Sequence, residues 1–415
     1  MIGSSRNYRD LAIVFAVAAL ANFGYLYFSN GDYYYPDSFT YLAPARALMH
    51  GRGFLDQTGI IETLRTPGYP LLLLLLGAHT LPAIVLQHLL NCFAALGIYI
   101  IVLFRSERRP ALVASLLFAI DVPTLHYANK LLSETVFTAL LYVLFALALH
   151  KFRPIAFGVM SGALVLIRPI ALFYFVPLAI FFIAQRIPMR KVAVFVVVSL
   201  VLPCAWAVRN RIEGGVFTVS SIGDFNLLNY RAAGALAIED EGDFRKAVLE
   251  EGSALSDEVD DDVQAKLHIE DATELPPAVR ARYFAHYAWG VIGQHRLSFV
   301  QLTARGLLVN LFDSDWEAIW NVSQVSPDVL RLFFNALAVA EIVLATIGVI
   351  FLWRRDRAMA LLIILTVAYF IGISAGGEAE ARFRVPVMPE IAIAAAMGIE
   401  AIRDSPQRER RGRRE

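Results

Sequence analysis

The chain has 415 residues, of which 57% are hydrophobic, 12% aromatic and only 18% charged, with a mean hydropathy of +0.56. A water-soluble domain of this length carries more charge and fewer long apolar runs, so the composition excludes one and points to a polytopic membrane protein. Basic and acidic residues number 37 each, and this zero net charge argues against a nucleic-acid partner.

The first apolar run, Leu11–Phe28, follows Arg6 and Arg9. It is long for a signal-peptide core, and no small-residue cleavage site follows, so it reads as a retained span. A helix needs about 20 apolar residues to cross the hydrocarbon core. By that ruler the candidate spans are 11–28, 83–104, 110–125, 131–150, 155–168, 170–185, 191–208, 329–353, 358–375 and 385–402. The sequence therefore predicts an all-α bundle of about ten transmembrane helices. A single tilted span with a re-entrant piece also fits 155–185, around Arg168-Pro169. Cys92 and Cys204 sit inside apolar runs and read as small packed hydrophobes.

Short connectors rich in Lys and Arg set the orientation. RSERR (105–109), KFR (151–153), RIPMRK (186–191), RRDR (354–357) and the tail from Arg403 all fall on one side of the ten spans, as do Arg6 and Arg9. That side is expected to be cytoplasmic, in an inner membrane. The chain then divides into an N-terminal transmembrane module, 1–208, with an outer loop at 29–82; a periplasmic segment, 209–328; C-terminal transmembrane helices, 329–402; and a basic tail, 403–415. Within the outer loop, Leu71–Thr80 is expected to form a short helix that dips back before the second span.

The periplasmic segment is of mixed character. Residues 239–274 are strongly acidic and read as a solvated, partly helical insertion. Its EVDDD run could hold a metal, but consecutive acids on a solvated loop far more often only solubilise it. Residues 279–312 alternate apolar and basic positions at helical spacing, which predicts an amphipathic helix in the outer interface. Asn321-Val-Ser323 matches a glycosylation sequon. No internal repeat, Walker loop, Rossmann glycine pattern or zinc-spaced Cys/His cluster occurs, so no nucleotide-fed reaction and no cofactor is indicated.

The stretch with most chemistry is Asp32 to Pro70, DYYYPDSFTYLAPARALMHGRGFLDQTGIIETLRTPGYP. Ionisable groups near the ends of apolar spans are costly and are functional candidates by default. On the outer side they form one set. Asp32, Asp37, Glu62 and Glu134 supply carboxylates; Arg65, Arg168, Arg209, Arg382 and Arg384 supply positive charge. Arginine suits a phosphate because its planar fork donates two hydrogen bonds. Plainer readings stand beside this one. Interfacial arginines snorkel to headgroups, Glu134 favours a helix N-terminus, Asp37 suits an N-cap, and Tyr33, Tyr34 and Tyr35 suit an aromatic belt.

PDSFTYLAPARALMHGRGF, TPGYPLLLLLL, LLSETVF, LIRPIAL, AWAVRN and RFRVPVMP occur in this order along the chain. The order resembles that of membrane-embedded glycosyltransferases of the GT-C type, in the bacterial branch related to aminoarabinose transferases and protein O-mannosyltransferases. The resemblance runs from about residue 11 to 402 outside the acidic insertion. It implies transfer of a sugar from a polyprenyl-phosphate donor to a lipid, glycan or protein acceptor on the periplasmic side, among membrane lipids and without a metal. The family's essential aspartate of the first outer loop falls on Asp37, in an Asp-x-x-x-Tyr pattern with Tyr41. Its basic lipid-phosphate contacts fall on Arg65, Arg168, Arg382 and Arg384, and the same motifs add Tyr69, Arg209 and Asn210 to the substrate-binding candidates. Some relatives carry an acid-Lys-Pro sequence where this chain has Arg65-Thr66-Pro67, and Glu62 is the nearest substitute carboxylate. The chemistry needs one aspartate to take the acceptor's proton and arginines to hold the departing phosphate, with inversion at the anomeric carbon. The rival reading is a lipid-linked-sugar or anion transporter. That function needs charge at mid-membrane depth, whereas these charges gather at span ends.

Overall fold

The computed structural model describes residues 5–238, 243–314 and 327–412. Among these residues regular structure is helical, apart from one antiparallel bridge between Leu55 and Ile61. The helices are α1 (Ser5–Phe28), α2 (Ser38–Met49), α3 (Gly68–Leu75), α4 (Thr80–Arg105), α5 (Arg108–Ala119), α6 (Val122–Ala128), α7 (Glu134–Ala148), α8 (Pro154–Ile167) and α9 (Phe175–Ala184). They continue with α10 (Met189–Gly214), α11 (Ile222–Asn226), α12 (Ala233–Ala237), α13 (Phe244–Leu267), α14 (Pro277–Gln294), α15 (Arg296–Phe312), α16 (Pro327–Arg355), α17 (Arg357–Ile373) and α18 (Met388–Gly412). A π-helical turn, Leu227–Ala232, joins α11 to α12.

This is an all-α polytopic membrane protein. Among the described residues five helices, α1, α4, α10, α16 and α18, are long and apolar enough to cross a bilayer alone. Their outer flanks carry Leu20, Val197, Val201, Leu332 and Ile350, a lipid-suited surface. The predicted span 110–125 is broken: α5 and α6 meet at 51°. Asp121 accounts for the break, because its carboxylate accepts the Thr124 N–H at 2.9 Å and starts a new helix with Pro123 in the first turn. The other expected spans, α7, α8, α9 with the turn before it, and α17, are shorter apolar helices. Residues 155–185 form two helices rather than one tilted span. Arg168, ahead of Pro169, takes an extended conformation and ends α8.

The basic connectors gather at one end of the bundle. Arg105 pairs with Asp356 at 2.7 Å and donates to the Leu149 carbonyl, while Arg355 pairs with Asp404 at 2.9 Å. Asp10 of α1 is buried there against Arg108. The opposite end is built in two layers. A small core of Tyr41, Leu42, Tyr69, Leu73, Ile84 and Leu132 packs α2 and α3 onto the mouth of the bundle. Above it α11 to α14 enclose a separate core that includes Leu228, Val248, Val259, Phe284 and Ala288.

Several expectations change here. The short helix expected at Leu71–Thr80 is α3, which begins earlier, in TPGYP, and stops before Gly77 at φ +67°. The acidic insertion is not merely solvated: in α13, Val248, Leu255, Val259 and Val263 bury one face, and Asp260 of EVDDD pairs with Arg280. The stretch 279–312 is two helices, α14 and α15, divided at His295, and α14 packs one face, with Phe284 and Ala288, into that separate core, while Trp289, Leu297 and Val300 stay exposed. Cys92 is buried, but Cys204 lies on the exposed side of α10. Asn321-Val-Ser323 lies outside the described residues.

Helices α16 and α18 pack backbone to backbone through small residues, as membrane helices do without a water-driven hydrophobic force. A Cβ on Gly398 would sit 2.0 Å from the Leu344 carbonyl oxygen, and one on Gly348 would sit 1.7 Å from that of Ala394. Gly398→Val is therefore expected to separate the pair and destabilise the protein by about 1–3 kcal/mol, the usual cost of overpacking. A lowered thermal midpoint in detergent, read by size-exclusion chromatography after heating, checks this; an unchanged midpoint contradicts the close packing.

Candidate active site

Asp37 occupies the N-cap position of α2 but makes no capping bond. Nearby, the Ser38 hydroxyl accepts the Tyr35 N–H at 2.8 Å, and the Thr40 hydroxyl donates to the Asp37 carbonyl at 2.7 Å. The Asp37 carboxylate is thus free to turn towards the bundle. Its Oδ1 accepts a bond from Arg65 Nη2 at 2.8 Å, and its Oδ2 one from Arg382 Nη1 at 2.9 Å. The plain N-cap reading of Asp37 does not hold.

Each arginine is held by more than this carboxylate. Arg65 donates from Nε to Thr40 at 2.8 Å and lies 4.7 Å from the centre of the Tyr41 ring. Tyr41 in turn stands edge-on to Tyr69 at 5.2 Å, and Tyr69 donates to Gln87 at 2.6 Å. Arg382 donates from Nε to Glu134 Oε1, and its guanidinium lies 5.1 Å from the Tyr35 ring centre. Arg168 reaches the same Glu134 oxygen and lies 3.5 Å from the Ser133 hydroxyl. Glu134 has no exposed surface, and its Oε2 has no hydrogen-bond partner. The structure thus brings Asp37, Tyr41, Arg65, Tyr69, Glu134, Arg168 and Arg382 together at one end of the bundle, from five separate segments. Within it, Asp37 joins Arg65 to Arg382, and Glu134 joins Arg382 to Arg168.

Burial tends to raise the proton affinity of Asp37, but Arg65 and Arg382 outweigh it and hold its pKa at about 2. Asp37 is therefore ionised at neutral pH.

Other candidates stand apart. Glu62 accepts the N–H groups of Leu64 and Arg65 at 2.5 and 3.0 Å, so it shapes its own loop; burial there raises its proton affinity. Arg209 donates to the Glu62 and Phe54 carbonyls at 2.8 and 3.1 Å and packs against Trp206. Asn210 donates to the Thr218 carbonyl at 2.8 Å. These two side chains fasten the first outer loop and the chain after α10. Arg384 is buried with Nη1 on the Leu311 carbonyl at 2.6 Å. The exposed Asp32 pairs with the buried Lys130 at 2.6 Å, and Lys130 also donates to the Asp32 carbonyl.

Glu380 is a site residue that sequence reasoning passed over. It lies two positions before Arg382, and its Oε1 is 3.9 Å from the Arg382 nitrogen that binds Asp37. The available signal was an acid two residues ahead of an arginine at a span end. Among the described residues no group of three or more His, Cys, Asp or Glu side chains is arranged to hold a metal ion.

Neither a family model nor a curated protein sequence matches the chain. Its fold, however, is similar to that of solved membrane proteins. It superposes on the Archaeoglobus fulgidus oligosaccharyltransferase tethered with an acceptor peptide with a TM-score of 0.53 and 13% identity, over 97% of this chain and 50% of that one. The A. fulgidus oligosaccharyltransferase AglB in complex with an inhibitory peptide and a dolichol-phosphate gives 0.50 and 13%, over 99% and 52%. ArnT from Cupriavidus metallidurans in the apo state is a looser match, 0.40 and 14%, over 92% and 77%. This chain spans about half the length of the archaeal protein. The chain thus shares its overall fold with part of a solved oligosaccharyltransferase structure over nearly its own whole length.

The pairing of Asp37 carries a pH signature. Its pKa falls from an ordinary 3.8 to about 2 on folding, so the pairing contributes stability that is fully present above pH 3.8 and is lost as pH falls towards 2. In acid unfolding followed by tryptophan fluorescence, Asp37→Asn is expected to lose less stability than the wild type across that window. Identical acid profiles would contradict the pairing.

Proposed function

We propose that the protein is a glycosyltransferase that takes a sugar from a polyprenyl-phosphate donor and passes it, with inversion, to an acceptor on the periplasmic face of the inner membrane. The observation that carries this reading is the arginine cluster. Arg65, Arg168 and Arg382 come from three distant segments to one end of an apolar bundle and are held there by two carboxylates. A lipid phosphate suits such a place: its chain lies along the apolar helices and its charged end meets the guanidinium groups. The dolichol-phosphate in the similarly folded archaeal structure supports the choice of donor class.

Guanidinium carries five N–H donors. Arg382 spends Nε on Glu134 and Nη1 on Asp37, and among the described residues its Nη2 has no hydrogen-bond partner. Donors of this kind stabilise the charge that builds on the phosphate as the glycosidic bond breaks. A phosphate leaves readily, so no protonated acid is required at that oxygen, in contrast to the paired carboxylates of glycosidases. A base must still take the acceptor's proton, and the family resemblance casts Asp37 in that role. Asp37 also gathers Arg65 and Arg382 onto one carboxylate, so its loss disables the site in either capacity.

A transporter is less well supported, because the charged cluster sits at one end of the bundle and not along a path through it. Purified protein incubated with a panel of polyprenyl-phosphate sugars is expected to consume one of them and release polyprenyl phosphate, detected by mass spectrometry. Asp37→Asn is expected to lower that rate about 100-fold or more while the protein remains monodisperse. Full activity in Asp37→Asn would remove this site from the reaction. Donor movement across a vesicle membrane without covalent product would make the protein a transporter instead.

A further inference from the structure

Asp37 is a poor place to put a proton. Both of its oxygens accept charge-assisted bonds from arginine, at 2.8 and 2.9 Å. General-base efficiency rises with the base's affinity for the proton, and a carboxylate clamped in this way has little. A second carboxylate reaches the same guanidinium from the other side. Glu380 lies 3.9 Å from Nη1 of Arg382, the nitrogen that binds Asp37. Its remaining contacts are long: the Tyr35 hydroxyl at 3.3 and 3.4 Å from its two oxygens, and Arg245 at 3.8 Å. Of the three acids around Arg382, Glu134 is sealed off, whereas Asp37 and Glu380 keep 32% and 21% of their side-chain surface open. Only Glu380 combines an open face with oxygens not taken by a short bond.

The chain fixes this position from two sides. Arg231, on the π-helical turn, pairs with Glu378 at 2.8 Å and donates to the Ile373 carbonyl at 2.5 Å, which locks the last outer loop to the outer helices. A Cβ on Gly377 would sit 2.1 Å from the Tyr230 carbonyl oxygen, so the loop approaches that turn at a distance only glycine allows. Burial raises the proton affinity of Glu380, and Glu134 adds to it; Arg382, Arg245 and Tyr35 act against it without cancelling it. Tyr230 is the other titratable group on the facing turn, and burial raises its pKa as well.

We infer that Glu380 receives the acceptor's proton, while Asp37 is the fixed anion that holds Arg65 and Arg382 for the donor phosphate. The inference rests on the glycosyl-transfer reading above and reassigns the base within it. In the step, the acceptor oxygen or nitrogen bonds to the anomeric carbon. The bond from that carbon to the phosphate oxygen breaks, its electron pair leaves with polyprenyl phosphate, and the acceptor's proton passes to a Glu380 oxygen. Two neighbouring carboxylates driven to opposite proton affinities are the pattern by which one environment separates a base from an electrostatic anchor. The pH dependence follows. Glu380 must be ionised to act, so activity falls as pH drops through its raised pKa, whereas Asp37 remains ionised and adds no limb in that range.

The test uses the full-length protein and the polyprenyl-phosphate sugar that the wild type consumes, with rates measured across acidic to neutral pH. Glu380→Gln is expected to lower kcat about 100-fold or more, to abolish the acid limb, and to bind undecaprenyl phosphate as the wild type does. Glu380→Asp is expected to recover part of the rate with a displaced limb. An equally active Glu380→Gln with the wild-type limb overturns the assignment, as does a variant that loses undecaprenyl phosphate binding together with rate, which would make Glu380 part of the phosphate cradle. A wild type that consumes no donor removes the reaction itself; an active wild type matched by Glu380→Gln removes only the assignment of the base.

Discussion

The charged end of the bundle depends on one buried guanidinium. Arg382 keeps only 8% of its side-chain surface open, with Nε on Glu134 and Nη1 on Asp37. Taking such a charge out of water costs several kcal/mol, and removing one partner of a buried pair typically costs about 3–5 kcal/mol because the other charge is left stranded. Both carboxylates are therefore obliged to stay. One belongs to the first outer loop and the other opens α7, while Arg382 itself leads into α18. A single side chain thus ties the beginning, middle and end of the chain at the place where the charged cluster forms.

The surrounding architecture keeps this knot in register. Tyr41, Tyr69 and Gln87 support Arg65 from below through a buried chain of contacts. Arg209 fastens the first loop at Phe54 and Glu62, and Asn210 beside it fastens the chain after α10 at Thr218. From above, the outer helices reach the last loop through Arg231 and Glu378. The basic connectors lie at the opposite end. The division puts lipid-facing length, charge chemistry and anchoring charge in three separate zones.

Much of this was legible in the sequence. Charged residues at the ends of apolar runs are rare because they are expensive, so Asp37, Arg65, Glu134, Arg168 and Arg382 stood out, and the structure brings all five together. Arg209 and Arg384 carry the same signature, yet they bond backbone carbonyls, since a span-end arginine also serves to pin loops. Nothing in GEAEARFR tells which of Glu378 and Glu380 turns inward; that depends on Arg231, about 150 residues earlier in the chain. The acidic composition of α13 masked the helical spacing of Val248, Leu255, Val259 and Val263, which packs one face. The break between α5 and α6 was written in Asp121 and Pro123 but hidden by an apolar run of spanning length.

The central claim is that a lipid-borne phosphate sits against Arg65, Arg168 and Arg382 with its sugar turned towards Asp37 and Glu380. The most direct measurement is a structure of the protein with a polyprenyl phosphonate sugar, in which a carbon replaces the scissile oxygen. The account predicts the phosphonate within hydrogen-bond distance of at least two of the three arginines and the anomeric carbon on the side of the two open carboxylates. A ligand lodged elsewhere would contradict it, for example in the cavity of about 400 Å³ beside Arg46 and Arg52 on the other face of α2.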